Sequence, residues 1–311
     1  MIFDDLSIFE SKSIEEKKKL FGNKKKSIYI NTLHRSNMML NPLNLKHLNS
    51  LDENIADVVT LNLEDAIAPS RKKEALCNIA LFLSHLENSN SFIVIRTNPF
   101  DEGGKEEIEF LNAFGFDAIR LAKVKSPKEL ESALKILNKD RELHFSLETK
   151  EAFACISTLK IDERITTANL GMLDLLASLR LPQSIVKIAN PTIDHILTKF
   201  LIECKTVNIR PVSFMFQDYN DTDGFRKWCE YEKSMGFESK ACMGPKQAII
   251  ANEVFNIDNF ELEKAQYIKE IFERNSSNGI NGFMDDRYGF IDEPIYRDAL
   301  NILKNQLYHE I

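Results

Sequence analysis

The chain is expected to fold as an α/β protein, a TIM (β/α)8 barrel followed by a helical C-terminal extension. Three observations carry this. About eight β-rich runs each precede a helical segment, and repeated strand–helix units imply a parallel sheet. The eight repeats fit within about 250 residues, the usual size of a closed barrel of this kind. No G-x-G-x-x-G and no G-x-x-x-x-G-K-[ST] follows any run, so doubly wound nucleotide-binding sheets lack their phosphate loops here.

Residues 1–26 read as an extension in front of the barrel. IEEKKKL suits a short charged helix, and KKK at 24–26 a solvated surface. The barrel spans 27–256. Its expected strands are SIYINTL (27–33), DVVTLNLE (57–64), SFIVIRT (91–97), DAIRLAKV (117–124), ELHFSLE (142–148), ITTANLG (165–171), PVSFMF (211–216) and SKACM (239–243). Between them lie the helical segments NPLNLKHLNSL, 70–86, EEIEFLNAF, the helix opened by Ser126 and Pro127, KEAFACISTL, the stretch after Asp174, 192–205 and 224–237. The helix after Ser126 is the best signed. Pro127 suits its first position, Glu129 can close a capping box, and Leu130, Ala133, Leu134 and Leu137 form one apolar stripe. Residues 257–311 are expected to be a helical segment that packs on the barrel or on a neighbouring subunit. It opens with a second capping-box candidate (Asp258 and Glu261), passes a polar loop, NSSNGINGF, and closes with an amphipathic helix.

Composition narrows the function. The chain has 311 residues, 43% of them apolar, and 40 basic against 47 acidic residues give a net charge of −7. An acidic chain without a basic stripe argues against a nucleic-acid partner. No run approaches the roughly 18 apolar residues of a membrane span, and MIFDDLSIFESKS carries acids where a signal peptide carries bases. Five scattered cysteines, with no C-x-x-C, suit neither a disulfide framework nor a cysteine zinc site, and fit a cytoplasmic location.

The active site of such a barrel lies at the C-terminal ends of its strands. The polar residues there are Glu64 and Asp65, Arg96 and Asn98, Lys123, Glu148, and Asp174 just after strand six. Acids converging on one mouth need a cation, and oxygen-only ligands suit Mg2+ or Mn2+. An arginine beside such an ion can clamp a carboxylate with its two-pronged fork. Taken singly, each residue has a plainer explanation. Glu64, Asp65, Glu148 and Asp174 could cap helices, and Arg96 could make a surface ion pair. Their joint placement is what points to a site. His144 shares a strand face with Glu148 and reads as a barrel filler.

These segments, in this order, resemble the HpcH/HpaI aldolase family, also described as citrate lyase β-subunit-like, over residues 26 to 305. ADVVTLNLEDAIAPSRKKEA is similar to its "aDvvilDLEDav…K…AR", VIRTNPF to "vRvN", IRLAKVKSPKEL to "lPKv.s..dl" and SLETKEAF to "iEta.gv". LGMLDLLASLRL is similar to "fG.eDLaa.lg", and the stretch from DGFRKW to NEVF and GFIDEPIYRDALNIL match two later segments. The resemblance implies a TIM barrel of the pyruvate/phosphoenolpyruvate type that makes or breaks a carbon–carbon bond through a metal-stabilised enolate. It implies Glu148 and Asp174 as Mg2+ ligands, and Glu64 and Asp65 as residues ordering the site and the water on the metal. Arg96 would bind the substrate carboxylate or carbonyl oxygen, with Asn98 and Lys123 beside it. Asp292 would be an acid/base reaching a neighbouring subunit, in a homotrimer or hexamer. The departures are Lys26 with no Pro-Gly in KSIYINT, Asn62 in NLED, LAK for "lPK", and Gly244 in MGPKQ. The first of these segments helps to hold coenzyme A in acyl-CoA-using members, which weakens the case for a CoA thioester. The expected activity is therefore a Mg2+-dependent carbon–carbon lyase or aldolase acting on a small hydroxy- or oxo-carboxylate, or less readily on its CoA thioester. The alternatives are a malyl-CoA-type thioesterase or synthase, and a non-catalytic barrel scaffold.

Overall fold

A computed structural model describes residues 1–27 and 33–307. The chain divides into two compact units, one formed by its N-terminal residues together with His34–Phe255, the other by Asn256 onward.

The first unit is the expected barrel. Its strands are β1 (Ser36–Leu40), β2 (Val58–Asn62), β3 (Phe92–Thr97), β4 (Ala118–Leu121), β5 (Glu142–Leu147), β6 (Ile165–Leu170), β7 (Arg210–Val212) and β8 (Lys240–Cys242). They are parallel, in the order β7-β6-β5-β4-β3-β2-β1-β8. A single parallel bridge, Ser213 to Lys240, closes the ring between β7 and β8. The strands are near-continuous apolar runs because both faces are buried. Their parity sorts the layers. Val59, Leu61, Ile93, Ile95, Ile119, Leu121, Phe145 and Leu147 belong to the core between sheet and helices. Val58, Phe92, Val94 and Ala118 form a separate apolar plug. Farther along the same inward parity come Thr60, Asn62, Arg96, Arg120, Ser146 and Glu148, so the barrel is apolar at one end and polar at the mouth.

The expected strand at 27–33 lies mostly outside the described residues. The strand that pairs with β2 and β8 is SNMML instead. Its inward Asn37 accepts a hydrogen bond from Thr60 (2.7 Å) and donates to Asn169 (3.2 Å), so a polar residue fills a barrel position where an apolar one is the usual signal. The N-terminal residues are knitted to this unit. Phe9 is buried, Phe3 meets the Phe82 ring edge-on and the His85 ring at a tilt, and Ser13 with Glu16 forms a complete capping box. Lys26 corrects the reading of KKK as solvated. It is buried in an ion pair with Asp117 (2.8 Å), and burial pulls its ammonium below the ordinary lysine range despite that partner. The helix Pro127–Ile136 forms as expected, but its capping box does not. The Ser126 hydroxyl turns to the Glu129 carboxylate (3.5 Å) and leaves the backbone uncapped.

The second unit has its own small core of Ala265, Ile268, Phe272, Ile291 and Ala299. Two helices, Asn259–Ser276 and Glu293–Leu307, flank an antiparallel hairpin of β9 (Gly282–Asp285) and β10 (Gly289–Asp292). The hairpin replaces the loop expected over NSSNGINGF and the acidic turn after it. Asp285 makes the turn, since its carboxylate accepts from the amides of Arg287 and Tyr288 (both 2.9 Å), and Gly289 supplies a positive φ of 75°. Asp258 caps the first helix by accepting from the Phe260 amide. All five cysteines are free, and among the described residues no helix is long and apolar enough to cross a membrane.

Candidate active site

The barrel mouth holds a cavity of about 300 Å3, lined by Asn62, Asp65, Arg96, Arg120, Ser146, Glu148, Asn169 and Asp174 with several apolar neighbours. Each expected residue except Asp292 lies on the barrel. Arg96, near the end of β3, is clamped between two carboxylates. Its Nη1 lies 3.0 Å from Glu64 Oε2 and its Nη2 3.1 Å from Glu148 Oε2. Lys123, following β4, reaches Glu64 Oε1 at 2.7 Å and Asp65 Oδ1 at 2.9 Å. Its φ is +50°, an unusual value for a lysine, and this turn aims its amide at Glu148 Oε1, 2.7 Å away. Gly171 ends β6 beside the same carboxylate, where an added β-carbon would stand 2.7 Å from Glu148 Oε2. The local chain is thus shaped around Glu148.

Asp174 lies in the first turn of the helix Met172–Ser178, facing the cavity without an ion pair among the described residues. Desolvation, and after it the charge of Asp65, raises its carboxyl above the ordinary aspartate range. Asp65 goes the other way. Desolvation pushes it up, but hydrogen bonds to Glu64 and Lys123 outweigh this and hold it low. Asn98 is committed to structure: its Nδ2 donates to Leu63 O and Glu107, its amide to Glu107 and its oxygen accepts from Lys72. Asp292 belongs to the second unit, at the end of β10, where it accepts from the Ile295 amide (3.4 Å).

Arg120 was not among the expected site residues. It sits mid-strand, directly beside Arg96 in the β3–β4 register. Burial, and after it the charge of Arg96, brings its guanidinium down to about 9. His144 is a filler as expected, fully buried, stacked on Phe92 and bonded to Glu142 (3.0 Å).

The donor set fits a hard divalent ion. Among the described residues, no three acids converge as a closed cage, because Arg96 and Lys123 stand between them. Mg2+ takes only one or two protein carboxylates and leaves its other positions to water and substrate oxygens. Glu148, just after β5, and Asp174, in the helix that follows neighbouring β6, suit that role. Four carboxylates against Arg96, Arg120 and Lys123 leave one net negative charge at the mouth. Because only the ionised carboxylate holds a cation, any affinity that Asp174 confers at neutral pH would be lost as pH falls through its raised value. Mg2+ titrations across pH are expected to show that loss beginning above the free-aspartate pKa of about 3.9. In Asp174→Asn, metal affinity should be weak at every pH; an unchanged titration would remove Asp174 from the ligand set.

An eight-stranded parallel barrel with ionisable groups gathered at its C-terminal mouth is the architecture of a barrel enzyme. The chain belongs to the HpcH/HpaI aldolase/citrate lyase family, whose model matches residues 35–245. It is 28% identical over 228 residues to a (3S)-malyl-CoA thioesterase of Cereibacter sphaeroides, covering 72% of this chain and 78% of that one. It is 25% identical to the L-malyl-CoA/beta-methylmalyl-CoA lyase of Rhodobacter capsulatus, covering 73% and 80%. In fold it is similar to the Mycobacterium tuberculosis protein CitE, solved with magnesium, acetoacetate and coenzyme A. That comparison has a TM-score of 0.71 at 16% identity and covers 89% of this chain and 99% of the other.

Proposed function

We propose that the protein is a Mg2+-dependent carbon–carbon lyase or aldolase, acting on a small hydroxy- or oxo-carboxylate or its thioester. The observation that carries this reading is the Arg96 guanidinium, fixed by Glu64 and Glu148 at the edge of a cavity that also presents Asp174, which has no ion pair among the described residues. Mg2+, when bound at Glu148 and Asp174, would supply fixed positive charge for an enolate oxygen.

The chain's own residues do the rest. Arg96 has its donors aimed before substrate arrives, so it binds the carboxylate or carbonyl oxygen and favours the enolate form without reorganising. Glu64 and Lys123 keep it aimed, since Glu64 accepts from both cations. Cleavage of a β-hydroxy acid transfers the hydroxyl proton to a base, and the electron pair of the broken bond ends on the oxygen held by Arg96. Water in the mouth and Asp292 of a neighbouring copy are the two sources for that base, the latter in a homotrimer or hexamer. Thioester hydrolysis is a second reading, supported by the kinship to malyl-CoA thioesterases.

Calorimetry on wild type and Asp174→Ala tests the proposal. Mg2+ should bind wild type only, and pyruvate or oxaloacetate should bind only with Mg2+. If both proteins ignore metal and keto acid alike, the lyase reading fails.

A further inference from the structure

The cavity floor carries a cation that the enolate chemistry does not use. Arg120 is 4% exposed and has no ion pair among the described residues. Its one hydrogen bond there is from Nη1 to Asn169 Oδ1 at 3.0 Å. Its Nε is buried without a partner. Glu64 and Glu148 favour its charge only from a distance, because their direct ion pairs go to Arg96 and Lys123. A buried charge without a partner is costly, and a barrel that needed only filler would carry an apolar residue here.

The neighbours of Arg120 are donors as well. Asn169 spends its oxygen on Arg120 and Asn37, and its Nδ2 is buried with no acceptor. The Ser146 hydroxyl lines the same cavity with no hydrogen bond among the described residues. Arg120, Asn169 and Ser146 thus line one cavity, and among the described residues Arg120 Nε, Asn169 Nδ2 and the Ser146 hydroxyl donate to no acceptor. Arg120 also lies beside Arg96 in register, one strand spacing of about 4.8 Å away.

We infer that Arg120, with Asn169 and Ser146, binds a second carboxylate of the substrate, so that the protein selects small dicarboxylates over monocarboxylates. One guanidinium fork matches one planar carboxylate, and the small cavity suits a short-chain acid. Arg96 holds one end of the substrate and Arg120 the other. This rests on the enolate reading of the same cavity.

Malate and lactate differ by one carboxylate, and neither decomposes in the presence of Mg2+. With Mg2+ present, calorimetry on wild type should find malate bound at least about tenfold more tightly, since a site built for a polar group rejects the analogue lacking it. Arg120→Met should abolish the preference by weakening malate and leaving lactate within about twofold. Arg120→Lys keeps the charge without the fork and should retain part of the preference. Equal affinities in wild type, or a parallel loss of both ligands in Arg120→Met, would overturn the inference. If neither acid binds, the enolate reading is judged separately by the Mg2+ and keto-acid titration above, and malonate binding to metal-free protein decides the carboxylate site. Binding that depends on Arg120 supports the carboxylate site, and no binding overturns it.

Discussion

Arg96→Lys is expected to lower the rate of Mg2+-dependent enolisation by about 10²–10³, the usual loss on removing one preorganised donor to a developing oxyanion. The substitution keeps the positive charge, so Glu64 and Glu148 are not both left without a cation. What it removes is the fork. Arg96 now reaches Glu64 with one nitrogen and Glu148 with another, at 3.0 and 3.1 Å, while its Nε lies buried without a protein partner. An ammonium cannot span both carboxylates and present a planar edge to substrate as well. Circular dichroism and Mg2+ affinity should stay close to wild type while turnover falls. Full activity in Arg96→Lys would show that the guanidinium does not hold the reacting oxygen.

The second large effect concerns stability, where the barrel closes. Strands β7 and β8 meet through the single Ser213–Lys240 bridge, the thinnest seam of the ring. Beside it, fully buried Lys240 bonds both oxygens of fully buried Glu232 at 2.7 and 2.8 Å and sits 4.1 Å over the Phe214 ring. The Ser213 hydroxyl donates to the same carboxylate (2.7 Å). Burial lifts the Glu232 carboxyl above its usual range even with Lys240 beside it, so the pair offsets its own desolvation only in part. Glu232→Leu should therefore cost about 3–5 kcal/mol in urea unfolding, because it strands the Lys240 charge. The double variant Glu232→Leu/Lys240→Met should recover most of that loss. If the double variant is no more stable than the single, the stranded charge is not the cause.

Residues at strand ends were legible because the barrel rule says where to look. Glu64, Lys123 and Glu148 follow strands that read as apolar runs, Arg96 lies near the end of another, and one mouth brings them together. Which of them pair with each other was not legible, since it depends on rotamers and on the left-handed turn at Lys123. Strand β1 escaped because Asn37 replaces an apolar residue on the inward face. Arg120 escaped because the barrel rule points only to strand ends, although a charge in the middle of DAIRLAKV is itself a signal in a strand buried on both faces. The C-terminal hairpin was hidden because its strands are only four residues long, expose the apolar Met284 and Phe290, and join at a turn that a side chain builds. Lys26 shows the converse error, since a lysine run predicts solvent only until one member finds a buried acid.

Enolate stabilisation by Mg2+ and Arg96 is the proposed work of the barrel mouth. It is tested most directly by following the methyl protons of pyruvate in D2O by NMR, with catalytic amounts of protein and with or without Mg2+. Wild type should exchange these protons for deuterium only when Mg2+ is present, and both Asp174→Asn and Arg96→Lys should lose most of that exchange. Exchange no faster than in protein-free buffer, or equally fast in all three proteins, would contradict the account.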